Sequence, residues 1–134
     1  MRSTVSVLPR NGKNTILVAE DHLDSREALR ELLEAFGFDV IEAMNGRQAV
    51  SAALTYIPNL ILMDIMMPEM DGFAAIRALR EAPETRGIPI IALTAMDGAR
   101  EPALRAGAND YVGKPVDIRL LIGMVNGWVT RAAN

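Results

Sequence analysis

Asn59-Leu60-Ile61-Leu62-Met63-Asp64-Ile65-Met66-Met67-Pro68 sets four apolar residues in a row and then ends them on a carboxylate. With Pro58-Asn59 before it and Met67-Pro68 after it, the run reads as a short strand covered on both faces, the kind found in parallel sheets. Open α/β sheets gather their ligands outside the carboxyl ends of the strands, so Asp64 is a candidate site residue.

Outward from that strand, five short β-rich runs alternate with five helical stretches, the pattern of βα units around one parallel sheet. The first strand is Thr15–Ala19 and stops at Glu20-Asp21. Leu29, Leu32, Leu33 and Phe36 then repeat at i, i+3, i+4, i+7, the stripe of a helix lying on a sheet, and Gly37 closes it. Phe38–Ile41 is expected as the second strand, and Asn45 as the cap of a helix running through Ala49, Ala53 and Tyr56. Beyond Asp64, Phe73, Ile76 and Leu79 mark the third helix, and Ile88–Leu93 the fourth strand, ending at Thr94. The fourth helix falls within Asp97–Ala106, and Pro102 predicts that it starts late or is short, because proline fits only the first turn. Asn109–Val112 is a brief fifth strand before Lys114-Pro115, and the last helix runs from Asp117 to about Thr130 with Leu121, Met124, Val125 and Trp128 inward. Ile118, Ile122 and Val129 fall off that stripe, so they read either as an apolar outer face for a partner or as scattered exposed residues.

A chain of 134 residues, half of them apolar and 23% charged, supports one folded domain with a real core. The net charge of −3 gives no electrostatic case for nucleic-acid binding, and the six aromatics, three Phe, two Tyr and one Trp, offer no stacking platform. No run is long enough to span a membrane. Cysteine is absent, which excludes disulfides and thiolate metal sites and fits a cytoplasmic protein. Residues 1–13 are polar and broken by Pro9 and Gly12, so they read as a loose tail.

Four strand ends thus deliver Glu20-Asp21, Asp64, Thr94 and Lys114 to one edge of the sheet. Crowded carboxylates raise one another's pKa unless a cation sits among them, and Mg²⁺, a hard ion that takes oxygen ligands and keeps waters, fits such a group. Asp64 can then act as a nucleophile toward a phosphoryl donor, with Lys114 as a point charge and Thr94 as a hydroxyl donor to a phosphoryl oxygen.

These residues resemble the receiver domain of the two-component response regulator family over about Asn14–Thr130. The resemblance rests on the acidic pair Glu20-Asp21, the segment Asp64-Ile65-Met66-Met67-Pro68-Glu69-Met70-Asp71-Gly72, Thr94-Ala95, and Ala106-Gly107-Ala108-Asn109-Asp110-Tyr111 running into Lys114-Pro115. It implies a flavodoxin-like (βα)5 domain at residues 14–130, doubly wound, strand order 2-1-3-4-5, with 131–134 as a short C-terminal tail. It implies that Asp64 is the phosphoacceptor, and that Asp21, Asp64 and the Met66 backbone carbonyl ligate Mg²⁺ while Glu20 acts through a metal-bound water. It makes Thr94 and Tyr111 a switch pair, although Tyr111 reads equally well as an ordinary half-buried strand residue. The Lys114-Pro115 bond is expected cis. A histidine kinase or histidine phosphotransfer protein would donate the phosphoryl group. Output would pass to a downstream protein, or to a homodimer, through the face made by the fourth helix, fifth strand and fifth helix. The chain stops about where that last helix should, so no output module is expected; a receiver excised from a larger regulator or hybrid kinase is the alternative.

Three positions add to this picture. Glu20 stands where the family often has aspartate, and Met66 and Met96, two residues beyond Asp64 and Thr94, are expected to screen the acyl-phosphate from water. His22 beside the acidic pair reads as solvated and outside the site. A haloacid-dehalogenase-like phosphatase would need an acid where Met66 stands, and a flavodoxin-like electron carrier a hydroxyl-rich loop where Glu20-Asp21-His22-Leu23 stands. A receiver-like module that binds partners without phosphorylation is the remaining alternative.

Overall fold

The computed structural model describes residues 14–133, and the tail read at residues 1–13 lies outside them. Five parallel strands form one sheet in the order β2-β1-β3-β4-β5, as expected. They are β1 (Thr15–Ala19), β2 (Asp39–Ala43), β3 (Leu60–Asp64), β4 (Ile90–Thr94) and β5 (Asp110–Gly113). Between and after them run α1 (Leu23–Ala35), α2 (Gly46–Tyr56), α3 (Gly72–Glu81), α4 (Arg100–Ala106) and α5 (Ile118–Ala133).

Strand alternation sorts the core into two layers. Leu17, Ala19, Ile61, Met63, Ile90 and Ala92 point to one side, where they meet Ala49 and Ala53 of α2, Ala75, Ile76 and Leu79 of α3, and Ala103 of α4. Ile16, Val18, Leu60, Leu62, Ile91 and Leu93 point to the other, against Leu33 of α1 and Leu121, Ile122, Val125 and Val129 of α5. Every residue of β1, β3 and β4 is buried, which is why those strands read as unbroken apolar runs.

The helix starts follow local chemistry. Asn45 caps α2 by accepting from the Gln48 amide at 2.8 Å, and Asp71 caps α3 by accepting from Ala74 at 2.9 Å. Gly37, with φ of 95°, turns the chain after α1. Pro102 lies in the first turn of α4, whose seven residues make it both late-starting and short.

Several boundaries differ from expectation, each for a tertiary reason. Phe38 is not in β2: its amide closes on the Leu33 carbonyl at the end of α1, and the strand instead runs on to Ala43, paired with Ala19. β4 begins at Ile90 because Pro89 has no amide to donate and the Ile88 amide turns back to Thr85. β5 starts at Asp110, one residue late, and α5 continues to Ala133, beyond the expected stop at Thr130. The apolar outer face read on the last helix is corrected: Ile122 and Val129 are buried against the sheet, Met124 and Trp128 only partly, and Ile118 alone of the three is exposed. The helix is rolled toward Ile122 because Trp128 leans outward to donate its indole N–H to Asp110 Oδ2 at 3.0 Å, with the Arg131 guanidinium 4.2 Å over its ring.

Candidate functional site

Three strand ends converge on a buried carboxylate pair. Asp64 closes β3 at 3% exposure, and Glu20 follows β1 with none. The β4–β5 ladder runs one residue past β5, since the Lys114 amide donates to the Thr94 carbonyl at 2.9 Å, and that carries the lysine to the same edge. Its ammonium donates to Glu20 Oε1 at 2.6 Å and to Asp64 Oδ2 at 3.1 Å. The Lys114-Pro115 peptide is cis, as expected.

Position sets the charge of each group. Burial and the neighbouring Glu20 carboxylate push the Asp64 carboxyl up from 3.8 to about 6, against the pull of Lys114. Glu20 is buried too, which by itself raises its pKa, but the hydrogen bond from Lys114 and that from the His22 amide outweigh burial and hold it below the usual glutamate range. Lys114 is opposed by burial and favoured by both acids, and its pKa ends above the ordinary value. Two carboxylates in contact with one ammonium are thus pushed apart, Glu20 downward by its hydrogen bonds and Asp64 upward by burial and the Glu20 charge.

The remaining predicted residues lie on β4, β5 and the loops that follow β3 and β4. Thr94 ends β4, buried, its hydroxyl oxygen accepting from the Met96 amide at 3.0 Å. Met66 donates its amide to Asp64 Oδ1 at 3.1 Å, so the β3–α3 loop is folded back onto the carboxylate. Gly72 makes that return tight: its amide donates to the Ile65 carbonyl, and a Cβ there would stand 2.5 Å from the Asp64 carbonyl oxygen. Tyr111 is half-buried, packed on the layer under α3 and α4. Met66 and Met96 are exposed beside Asp21 at the rim of one cavity.

The ligand atoms of Glu20, Asp21 and His22 lie within 4.8 Å of one another, a grouping that could hold a metal ion. Asp21 Oδ1 is buried and has no hydrogen-bond partner, an anionic oxygen left for a cation, so the oxygen donors present fit a hard divalent ion. His22, read from sequence as outside the site, stands with its Nδ1 3.3 Å from Glu20 Oε2 and 3.4 Å from Asp21 Oδ1. Arg26 was missed as well. It lies on the same inward stripe as Leu29 and Leu33, and a charge on a core-facing stripe is the signal that marks it.

Fold and site together describe a doubly wound domain whose acidic pocket, at the carboxyl edge of its sheet, is built around a buried carboxylate pair and one lysine. A family model for the response regulator receiver domain matches residues 16–126, and the chain belongs to that family. An uncharacterised 14.6 kDa protein in the sodA1 3′ region of Leptolyngbya boryana is 46% identical over 112 residues, covering 82% of this chain and 86% of that protein. Response regulator PleD of Caulobacter vibrioides is 40% identical over 112 residues, and the match covers 82% of this chain and 25% of PleD. The crystal structure of the receiver domain of a sensor histidine kinase from Pseudomonas aeruginosa, with a magnesium ion coordinated in its active-site cleft, superposes with a TM-score of 0.83. It is 36% identical, over 89% of this chain and 99% of that one. The protein is thus a phosphorylation-dependent signalling switch, a phosphoacceptor rather than an enzyme with an external substrate. Among the described residues no helix is long and apolar enough to cross a membrane.

Proposed function

We propose that Asp64 accepts a phosphoryl group from a phosphohistidine on a histidine kinase or histidine phosphotransfer protein, in a Mg²⁺-dependent reaction, and that the change is passed to a downstream protein through α4, β5 and α5. The observation that carries this reading is the buried Glu20–Lys114–Asp64 bridge at the carboxyl edge of the sheet. Asp21, Asp64 and the Met66 carbonyl would hold the ion, with Glu20 acting through a water. When bound, the ion neutralises the acids and the phosphoryl oxygens.

The Asp64 carboxylate attacks phosphorus, a P–O bond forms, and the P–N bond to the donor imidazole breaks with its electron pair leaving on nitrogen. Lys114, already 3.1 Å from Asp64 Oδ2, keeps a charged donor beside the acyl-phosphate. The Thr94 hydroxyl moves to a phosphoryl oxygen, giving up its bond from the Met96 amide, and Tyr111 follows into the space left. Tyr111 is half-buried on β5, one strand over from Thr94, where such a movement would begin.

An apolar groove of about 300 Å³ opens next to Lys114, lined by Leu29 and Leu32 of α1 with Pro115, Val116 and Ile118. Glu20 and Lys114 line it as well, and Lys114 also borders the cavity that holds Asp64, which supports docking of the phosphodonor there rather than on α4. Of the strip that offered a homodimer face, only Ile118 is exposed.

Intact mass after incubation with acetyl phosphate tests the acceptor. One added phosphoryl group in wild type, dependent on Mg²⁺ and absent from Asp64→Asn, is the expected result. No gain in a folded wild type would turn the reading to a module that binds partners without phosphorylation.

A further inference from the structure

The geometry points to Arg26 as a positioning residue for the divalent-cation site: its guanidinium clamps the Glu20 carbonyl and thereby sets the peptide that carries Asp21. This rests on the Mg²⁺ reading of the pocket. Arg26 is a cation with only 8% of its surface exposed, placed where α1 faces the sheet. Its Nη1 donates to the backbone oxygen of Glu20 at 2.9 Å, and its Nε donates to Glu42 Oε1 of β2 at 2.8 Å. The other oxygen of Glu42 is held by Arg30 Nε at 3.1 Å, so the acceptor that orients Arg26 is itself fixed from both sides.

The consequence falls on Asp21. The Glu20 amide is still part of the sheet, donating to the Ala43 carbonyl at 3.0 Å, but after it the chain leaves the ladder. The peptide between Glu20 and Asp21 is therefore the first with no strand partner for its carbonyl, and Arg26 supplies that partner. Asp21 needs this support from behind, because its own buried Oδ1 makes no hydrogen bond among the described residues. The exposed His22 imidazole, 3.4 Å from that oxygen, is a weak anchor, so the aim of the carboxylate rests mainly on its backbone. A guanidinium suits the task, since its planar fork serves a carbonyl and a carboxylate at once while an ammonium is a single point. Among the described residues no hydrogen bond joins Arg26 to the side chains of Glu20, Asp21 or Asp64; its link to the pocket is the Glu20 backbone oxygen.

Outer-shell groups that orient metal ligands are typically worth 10–100-fold in metal affinity. The test is calorimetric titration of Mg²⁺ into the unphosphorylated protein, at a temperature where every variant is folded by circular dichroism. Arg26→Met should raise the Mg²⁺ Kd about tenfold. Its phosphorylation rate by acetyl phosphate should return close to the wild-type value once Mg²⁺ is raised in proportion, a split that general damage to the fold would not produce. Arg26→Lys keeps the charge and the apolar stem, so it remains informative if the methionine variant does not fold, and it should weaken Mg²⁺ several-fold. Arg30→Met, which removes the outer arm of the network and leaves the Glu20 carbonyl bonded, should bind like wild type. Wild-type affinity in both Arg26 variants overturns the inference. So does tighter binding, which would mean the guanidinium merely repels the ion. If wild type itself takes up no Mg²⁺, the metal reading of the pocket fails, and this inference with it.

Discussion

Asp64→Asn should make the metal-free protein more stable, and the gain should grow with pH. Asp64 is 3% exposed and its carboxyl is raised from 3.8 to about 6, chiefly by burial and then by the charge of Glu20. A shift of that size corresponds to about 3 kcal/mol. Well below pH 3.8 the group is protonated in the folded and unfolded chain alike and contributes nothing. Between 3.8 and about 6 the unfolded chain has released its proton and the folded chain has not, so stability falls as pH rises. Above about 6 both are ionised and the cost is constant. Linkage through those two values gives a cost of about 1 kcal/mol at pH 4.5 and about 3 kcal/mol at pH 7.5. Asparagine removes the ionisation and leaves Lys114 paired with Glu20, so the variant's advantage in urea unfolding should follow the same two figures. At pH 7.5 this is a Tm rise of roughly 10 °C for a domain of this size. Saturating Mg²⁺ should lift the wild type and narrow the gap, because the ion binds only the folded state. Equal stability of the two proteins at pH 7.5 without metal, or a gap the same at pH 4.5 and 7.5, would refute the reasoning.

Glu69 is held at φ of 67°, where a side chain costs about 1–2 kcal/mol and glycine costs nothing sterically. After the entropy glycine restores to the unfolded chain, Glu69→Gly should gain up to about 1 kcal/mol in urea denaturation, and a loss would show that the loop is relaxed as it stands. Gly46 opens α2 where an added Cβ would overlap the Met70 carbonyl. Gly46→Ala should therefore cost about 1–3 kcal/mol and weaken Mg²⁺ binding by moving the loop that carries Met66; wild-type values of both would remove that packing argument. Replacing Met66 and Met96 together with glutamine, which can hydrogen-bond water, should shorten the phosphorylated lifetime about tenfold, or about 1.4 kcal/mol in barrier. Mass spectrometry after removal of acetyl phosphate reads it, and an unchanged lifetime would sink the idea that these exposed methionines screen the acyl-phosphate.

Much of this protein was legible along the chain because its signals are local. Leu60–Met63 and Ile90–Leu93 are apolar on both faces because both faces are covered, and a carboxylate or hydroxyl right after such a run marks the sheet edge. Asn45 and Gly37 announce helix ends through their own hydrogen bonding and φ, and Pro102 bounds α4 by the amide it lacks. The four matching segments carried the strand order and the acidic site. What the chain could not reveal depends on partners far away in it. The roll of α5, which buries Ile122 and Val129, follows from Trp128 reaching Asp110, and an apolar residue on either side of a helical stripe looks the same until the sheet is in place. Lys114 meets Glu20 across 94 residues and Asp64 across 50, so the pKa of Asp64 exists only in the folded chain. Arg26 is an ordinary helix residue in sequence and becomes a clamp because β1 and β2 lie side by side, bringing the Glu20 carbonyl and the Glu42 carboxylate within reach of one guanidinium. Periodicity and turn chemistry determine which segments become elements; hydrogen bonds and charges between elements are decided only when packing brings their ends together.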